Sequence, residues 1–300
     1  MSGAAPGVDQ VSDGSYAWSP HLLPGAVVAT VGYALSGAAP SIHRGLPSPY
    51  LTFIFGLDGP VVSGCTAAEA LSPAAARTEI VVAGLHRRPT YVVQPTEQLG
   101  IQLAVHPLAA RMLFGAPAAE IPWQVTEGVD VIGAAVGHLR DRLVEGSSWA
   151  ERFEVLAGYL RQRQRDSKAP PPRAELVEGW DWLSRRRGAA SMEALARHLA
   201  LSPRQLRAIF VRELGVSPKQ IARLMRFDAV KQRLSVAVAG DRGVTLSDLA
   251  ARCGFYDHPH LDAEFRAFSG VSPTEWVAEE RRNIQAGGHR SGEDWGHDDP

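Results

Sequence analysis

The chain has 300 residues, enough for two domains, and its 45% hydrophobic and 21% charged content is that of a globular protein. A formal net charge of −1 gives by itself no sign of a nucleic-acid partner, and two cysteines, Cys65 and Cys253, exclude a disulfide framework or a cysteine-rich zinc site. No run of ~18 apolar residues could span a bilayer, and no basic-then-apolar leader opens the chain, so a reducing, cytoplasmic location is the simplest expectation.

Residues 1–15 are rich in Gly, Ser and Ala and read as loose. Short β-type runs follow at 27–33, 50–55, 61–62, 80–83, 91–93 and 101–105, bounded by Pro, Gly and Asp. Leu57-Asp-Gly-Pro60 reads as a hairpin turn. Short strands without long helices between them predict a small barrel or sandwich. After His106-Pro107 the period becomes helical, at 108–113, 129–143 and 149–163. In the last of these Phe153, Leu156, Ala157 and Leu160 form an apolar stripe, which either packs on its own domain or makes a dimer seam. The fold class expected is α+β, a β-rich domain with helices followed by an all-α domain.

Residues 166–172, with Pro170-Pro171-Pro172, form a stiff linker between a first domain at 1–165 and a second at 173–285. The second domain opens on a helix with Leu176, Val177, Trp180 and Leu183 inward. Ser191 can cap a short helix with Leu195, Ala196 and Leu199 on its inner face. Ser202, followed by Pro203, can cap another, with Leu206, Ile209, Phe210 and Leu214 inside and Gly215 at its end. Two short helices and a tight turn, the second helix basic outside, read as a helix-turn-helix. The pattern recurs 55 positions later: Leu206, Phe210 and Gly215-Val-Ser-Pro218 return as Leu261, Phe265 and Gly270-Val-Ser-Pro273. Leu195-Ala196 returns as Leu249-Ala250, with one residue of slippage in the turn. A helix over 218–234 joins the copies, with Ile221, Leu224, Met225 and Leu234 inward and Lys219, Arg223, Arg226, Lys231 and Arg233 outside. Such a helix is ~25 Å long. Residues 235–244 read as a loop and 286–300 as a disordered tail.

Charge is unevenly spread. Residues 184–235 hold twelve Arg or Lys against three Asp or Glu, whereas the chain before 184 has thirteen against seventeen. That asymmetry suggests a DNA-facing module. The paired helix-turn-helix, Gly254-Phe255 in the second turn and Gly-Val-Ser-Pro after each second helix resemble the AraC/XylS family of bacterial transcription regulators over about 175–285. The resemblance implies a cupin-like β-barrel that senses a small molecule or dimerises, joined to a double helix-turn-helix that binds double-stranded DNA. It implies base reading by Arg204, Gln205 and Arg207, because Arg suits guanine O6 and N7 and Gln suits adenine N6 and N7. Ser202, Lys219, His258, His260 and Arg266 complete the expected DNA-binding set. The second copy departs from the family, with Ala263 where a basic residue is usual and an acidic Asp262 that would repel phosphate, which points to a positioning role through the DNA backbone.

No metal or other cofactor is expected. His43, His86 and His106 lack the His-x-His spacing of a metal cupin, and the side chains of His258-Pro-His260 diverge at a helix start. Hydrolase, phosphate-loop and zincin motifs do not occur, so no enzyme is expected. Further expected partners are a small-molecule effector, whose binding residues the sequence does not name, a second copy of the chain and RNA polymerase. Tyr33, Phe53, Phe55 and Tyr91 are candidates for an effector pocket. The alternatives are a cupin-type enzyme domain fused to a DNA-binding domain, or a constitutive DNA-binding protein whose first domain mediates protein contacts.

Overall fold

A computed structural model describes residues 7–11, 14–19, 22–37, 39–239 and 245–285. Two compact units emerge, one of Met1–Gly45, Tyr50–Gly84 and Thr90–Pro170, the other of Leu46–Pro49, Leu85–Pro89 and Pro171–Pro300.

The N-terminal unit is built on antiparallel strands: β1 (Gly7–Val11), β2 (Gly14–Trp18), β3 (Val27–Ser36), β4 (Ser41–Gly45), β5 (Leu51–Gly56), β6 (Val61–Gly64), β7 (Ala76–Thr78), β8 (Ile80–Ala83), β9 (Thr90–Gln94), β10 (Glu97–Val105) and β11 (Thr126–Glu127). They form a seven-stranded sheet in the order β1-β2-β3-β10-β5-β8-β11 and a four-stranded sheet in the order β4-β9-β6-β7. The β-rich expectation holds. The strands make two sheets rather than one closed barrel, a layout compatible with a cupin-like fold. Period-2 alternation sets the core: Leu51, Phe53 and Phe55 of β5 stand opposite Val105, Leu103 and Ile101 of β10, and all six are at most 1% exposed. The Phe53 ring lies 4.6 Å from Phe55 and meets Phe114 edge-on at 5.4 Å.

Two expectations fail here. Residues 7–11 and 14–15, expected to be loose, belong to strands, because β1 pairs with β2 from Gly7↔Trp18 to Val11↔Gly14. Leu57-Asp-Gly-Pro60 is not a hairpin turn: β5 and β6 belong to different sheets, and the Gly56 N–H donates to the Glu79 carbonyl at 2.9 Å.

Helices complete this unit: α1 (Ala67–Ala70), α2 (Ala110–Phe114), α3 (Gly128–Ile132), α4 (Ala135–Glu145) and α5 (Trp149–Asp166). The helix expected over 129–143 is two, because Gly133 at φ 95° breaks it. Ser148 caps α5, whose stripe Phe153, Leu156, Ala157 and Leu160 is at most 5% exposed within the single chain, so it is core and not a dimer seam. Arg163 Nε donates to the Leu113 carbonyl at 2.9 Å and fixes α5 to α2.

The C-terminal unit contains α6 (Ala174–Arg185), α7 (Met192–His198), α8 (Pro203–Leu214), α9 (Pro218–Ala239), α10 (Leu246–Arg252), α11 (His258–Ser269) and α12 (Pro273–Gln285). Leu195, Ala196, Leu206 and Phe210 are buried, and so are their counterparts Leu249, Ala250, Leu261 and Phe265. On α6 Leu176, Trp180 and Leu183 face inward as expected, but Val177 is 36% exposed. The joining helix is longer than its sequence pattern suggests. It runs 22 residues to Ala239, through half of the expected loop, and so spans about 33 Å. The rest of that loop, 240–244, and the tail 286–300 lie outside the described residues.

Lys231 is a second correction. Expected outside, it is 1% exposed, and its Nζ pairs with Asp228 Oδ1 at 3.1 Å one turn earlier. Asp228 Oδ2 also accepts from Gln232 Nε2 at 2.9 Å. Removing one partner of a buried pair strands the other charge. Lys231→Met should therefore destabilise the C-terminal unit by about 3–5 kcal/mol in chemical denaturation. Asp228→Asn added to it should recover most of that loss.

His106 predicts the acid response of the N-terminal unit. Burial pushes its imidazole down to about 4, and its Nδ1 accepts from the Leu108 N–H at 3.2 Å at the start of a short 3-10 turn. The unfolded chain takes up this proton near the ordinary value of 6.5, so the stabilisation is full above that pH and is lost as pH falls toward 4. The loss should be on the order of 3 kcal/mol. Urea midpoints measured across this window should fall for the natural protein and stay flatter for His106→Asn, which keeps a capping acceptor.

Candidate nucleic-acid interface

Local sequence chemistry builds the first copy, α7 and α8. Ser191 Oγ accepts from the Ala194 N–H and starts α7. The chain then turns at Ala200, held at φ 52°, with the Leu201 N–H bound to the Ala196 carbonyl at 2.9 Å. Ser202 begins α8 through a capping box. Its Oγ accepts from the Gln205 N–H, and Gln205 Oε1 accepts from the Ser202 N–H at 2.9 Å and from its hydroxyl at 2.8 Å. Gly215, left-handed at φ 75°, ends α8.

With Leu206, Ile209, Phe210 and Leu214 buried, α8 turns Arg204, Gln205, Arg207 and Ala208 to solvent. Arg204 and Arg207 form no ion pair among the described residues. Both are open to a base edge or a phosphate. Gln205 is constrained differently from its sequence-based role. Both lone pairs of its carbonyl are used by Ser202, so only its NH₂ group remains to donate. Bidentate pairing with adenine requires that carbonyl and would break the cap; a single donation to an acceptor such as guanine O6 or thymine O4 would not. Ser202 itself is exposed but spent on the box. Lys219 is exposed in the first turn of α9, where N–H groups and the helix dipole also favour an anion.

The second copy, α10 and α11, has a different surface. Thr245 caps α10, and Gly254 at φ 75° makes the turn that Ala200 makes in the first copy, with the Phe255 N–H on the Ala250 carbonyl at 2.9 Å. One residue, Tyr256, is then inserted before the cap. Asp257 Oδ1 accepts from the His260 N–H at 2.8 Å, and His260 Nδ1 accepts from the Tyr256 N–H at 3.2 Å. His260 is thus held at the helix start, edge-on to Phe255 at 5.3 Å. His258 is exposed.

Charges along α11 are largely paired within the fold. Glu264 accepts from Arg223 Nε at 2.9 Å and from Arg226 Nη2 at 3.3 Å, and Arg226 Nη1 donates to the Gly188 carbonyl at 3.0 Å. Expected outside, these two arginines instead bind α11 to α9. Arg266 bridges Asp262 at 2.9 Å and Glu275 at 3.2 Å. Hydrogen bonds from Ser272, and then Arg266, hold the Glu275 carboxyl below the usual range. Asp262 therefore does not stand as a lone carboxylate on this face.

Sequence reasoning assigned no role to Arg197, exposed at the end of α7, to Arg252, exposed at the end of α10, or to Tyr256. The slippage between the copies was the available signal for Tyr256. In the N-terminal unit Phe53 and Phe55 belong to the core, while Tyr91 is half-buried beneath the Arg44 guanidinium at 5.5 Å. Among the described residues no group of three or more His, Cys, Asp or Glu is placed to hold a metal ion, and no helix is long and apolar enough to cross a membrane.

Residues 195–279 match a family model described as a helix-turn-helix domain. The HTH-type transcriptional regulator ArgR of Pseudomonas aeruginosa is 30% identical over 96 residues, which is 32% of this chain and 26% of that protein. The chain thus spans about a quarter of the length of the curated relative it matches. Among solved structures, wild-type ToxT of Vibrio cholerae with an unsaturated fatty acid bound is 11% identical, over 84% of this chain and 95% of that one, with a TM-score of 0.44. The DNA-binding domain of AdpA in complex with a target DNA is 25% identical, over 37% and 96%, with a TM-score of 0.33. From its two helix-turn-helix copies and the matched residues, the C-terminal unit of this chain contains a helix-turn-helix domain.

Proposed function

We propose that the chain is a sequence-specific, DNA-binding transcription regulator rather than an enzyme. The observation that carries this reading is the solvent face of α8, where Arg204 and Arg207 are exposed and, among the described residues, have no ion-pair partner, on the second helix of a helix-turn-helix. Lys219 and the N-terminus of α9 supply a phosphate contact beside it, and Arg197 and Arg252 add positive charge on the first helix of each copy. Residues 173–285 bind duplex DNA, residues 166–172 are the linker, and residues 1–165 sense a small organic effector and pair two copies of the chain. RNA polymerase is the further partner, and the cytoplasm is where the chain acts.

The test is selection of bound duplexes from a random pool with the full chain, followed by titration of the selected site. Contacts to about five phosphates should weaken binding roughly 500-fold between about 50 and 200 mM salt. Salt-independent binding, or no enriched sequence, refutes the reading. Arg204→Ala should cost about 1–3 kcal/mol on the selected site and relax preference at one position, whereas Lys219→Ala should weaken selected and scrambled duplexes alike. Gln205→Glu keeps the capping box but exchanges the donor NH₂ for a carboxylate. Thermal stability should hold within about 0.5 kcal/mol of the natural protein while DNA affinity falls at least tenfold.

A further inference from the structure

We propose that the second helix-turn-helix reads its major groove through an uncharged patch, Tyr256, Pro259 and Ala263, packed on thymine 5-methyl groups. The inference rests on the DNA-binding reading above and assigns the recognition chemistry of its second half.

Three observations lead to it. Leu261, Phe265 and Phe268 point inward, so on a helix of 3.6 residues per turn the outermost positions of α11 are Pro259, Ala263 and Ala267. All three are exposed. At the 55-residue offset Pro259 occupies the place of Arg204, and Ala263 that of Ala208, so this is the counterpart of the reading face on α8. Second, the charged neighbours are committed elsewhere: Glu264 to Arg223 and Arg226, Asp262 and Arg266 to each other, and His260 to the Tyr256 N–H. Third, Tyr256 is 93% exposed, an unusual state for a large aromatic side chain. It is the inserted residue of the second copy, and its backbone is tied down by His260, so its ring stands out from a fixed turn at the end of α11 that enters a groove.

This end of the helix is poorly suited to a phosphate. Asp257 already occupies the cap with a carboxylate, and Pro259 has no N–H to donate. An apolar surface in the major groove has one distinctive partner, the methyl group of thymine. A tyrosine ring, a proline ring and an alanine methyl offer apolar area at little cost in side-chain entropy. The two copies therefore read by different chemistry, charged donors in one groove and methyl contact in the other.

The experiment uses the full chain and the duplex it selects, with each thymine replaced in turn by deoxyuridine, which removes only the 5-methyl group. Replacement in the half protected by the second copy should weaken binding about three- to fivefold per contacted methyl, and no such loss should occur in the half read by Arg204. Tyr256→Ala should weaken binding to the thymine duplex and abolish the difference between thymine and deoxyuridine at the contacted position. At its exposure this substitution leaves the core untouched. Ala263→Lys is the second variant: it should remove the methyl preference and steepen the salt dependence by about one phosphate equivalent. Uniform indifference to deoxyuridine, or an equal loss on both duplexes in Tyr256→Ala, overturns the proposal while leaving the DNA-binding reading intact. Unchanged DNA binding by Tyr256→Ala with loss of self-association or of RNA polymerase contact assigns the patch to a protein and also overturns it. Failure to select any duplex overturns both, and is distinct from the other outcomes.

Discussion

The C-terminal unit depends on a charge pair inside its longest helix. Around Phe227, Val230 and Leu234, α9 is buried on nearly every side, and a lone ammonium or carboxylate there would be costly. Lys231 and Asp228 answer one another across one turn, and Gln232 takes the second carboxylate oxygen. The helix can then continue unbroken between the copies, and Arg223 and Arg226 can carry α11 on its side through Glu264. Unlike a surface ion pair, which contributes little, this clamp lies partly out of water and its guanidiniums also cover Phe268 and Phe255.

This arrangement changes what the local charge excess means. The basic stretch looks in sequence like one DNA-facing surface, yet its cations have separate duties. Lys231 is internal, Arg223 and Arg226 hold two helices together, and Arg185 is paired with Glu178. Arg204, Arg207 and Lys219 remain exposed on the helix-turn-helix side of the domain. A net count therefore overstates the electrostatic footprint, and the salt dependence of binding should follow the exposed subset.

Much of the fold was legible because its determinants are local or periodic. The Ser-Pro starts, the left-handed glycines and the apolar positions of α8 and α11 all follow from rules spanning four or five residues. The failures share a different cause. Lys231 lies inside because Asp228 neutralises it, and no hydropathy pattern scores a charge as core. The helix α9 passes Leu234 into Ser-Val-Ala-Val-Ala because tertiary packing overrides the weak propensity of β-branched residues. Strands β1 and β2 were missed because their segment is rich in Gly and Ser, and what orders it is long-range: β2 pairs with β3 and buries Tyr16 and Ala17. At the site, residue types and spacing located α8 correctly, but the occupied carbonyl of Gln205 is a matter of atoms, which only the capping geometry reveals.

The two copies show how one folding unit can support unlike recognition surfaces. Four inward positions, Leu195, Ala196, Leu206 and Phe210, repeat as identical residues, because the core they share tolerates little variation in volume. The outward positions carry no such constraint, and there arginine has given way to proline. The extra turn residue follows the same logic. Gly254 and Phe255 reproduce the backbone path of Ala200 and Leu201, so the insertion must be absorbed between that turn and the helix cap. Placed there, Tyr256 disturbs no buried contact. It lengthens only the edge that faces outward, and the copy with Pro259 in the place of Arg204 carries an aromatic ring at the same end of its helix.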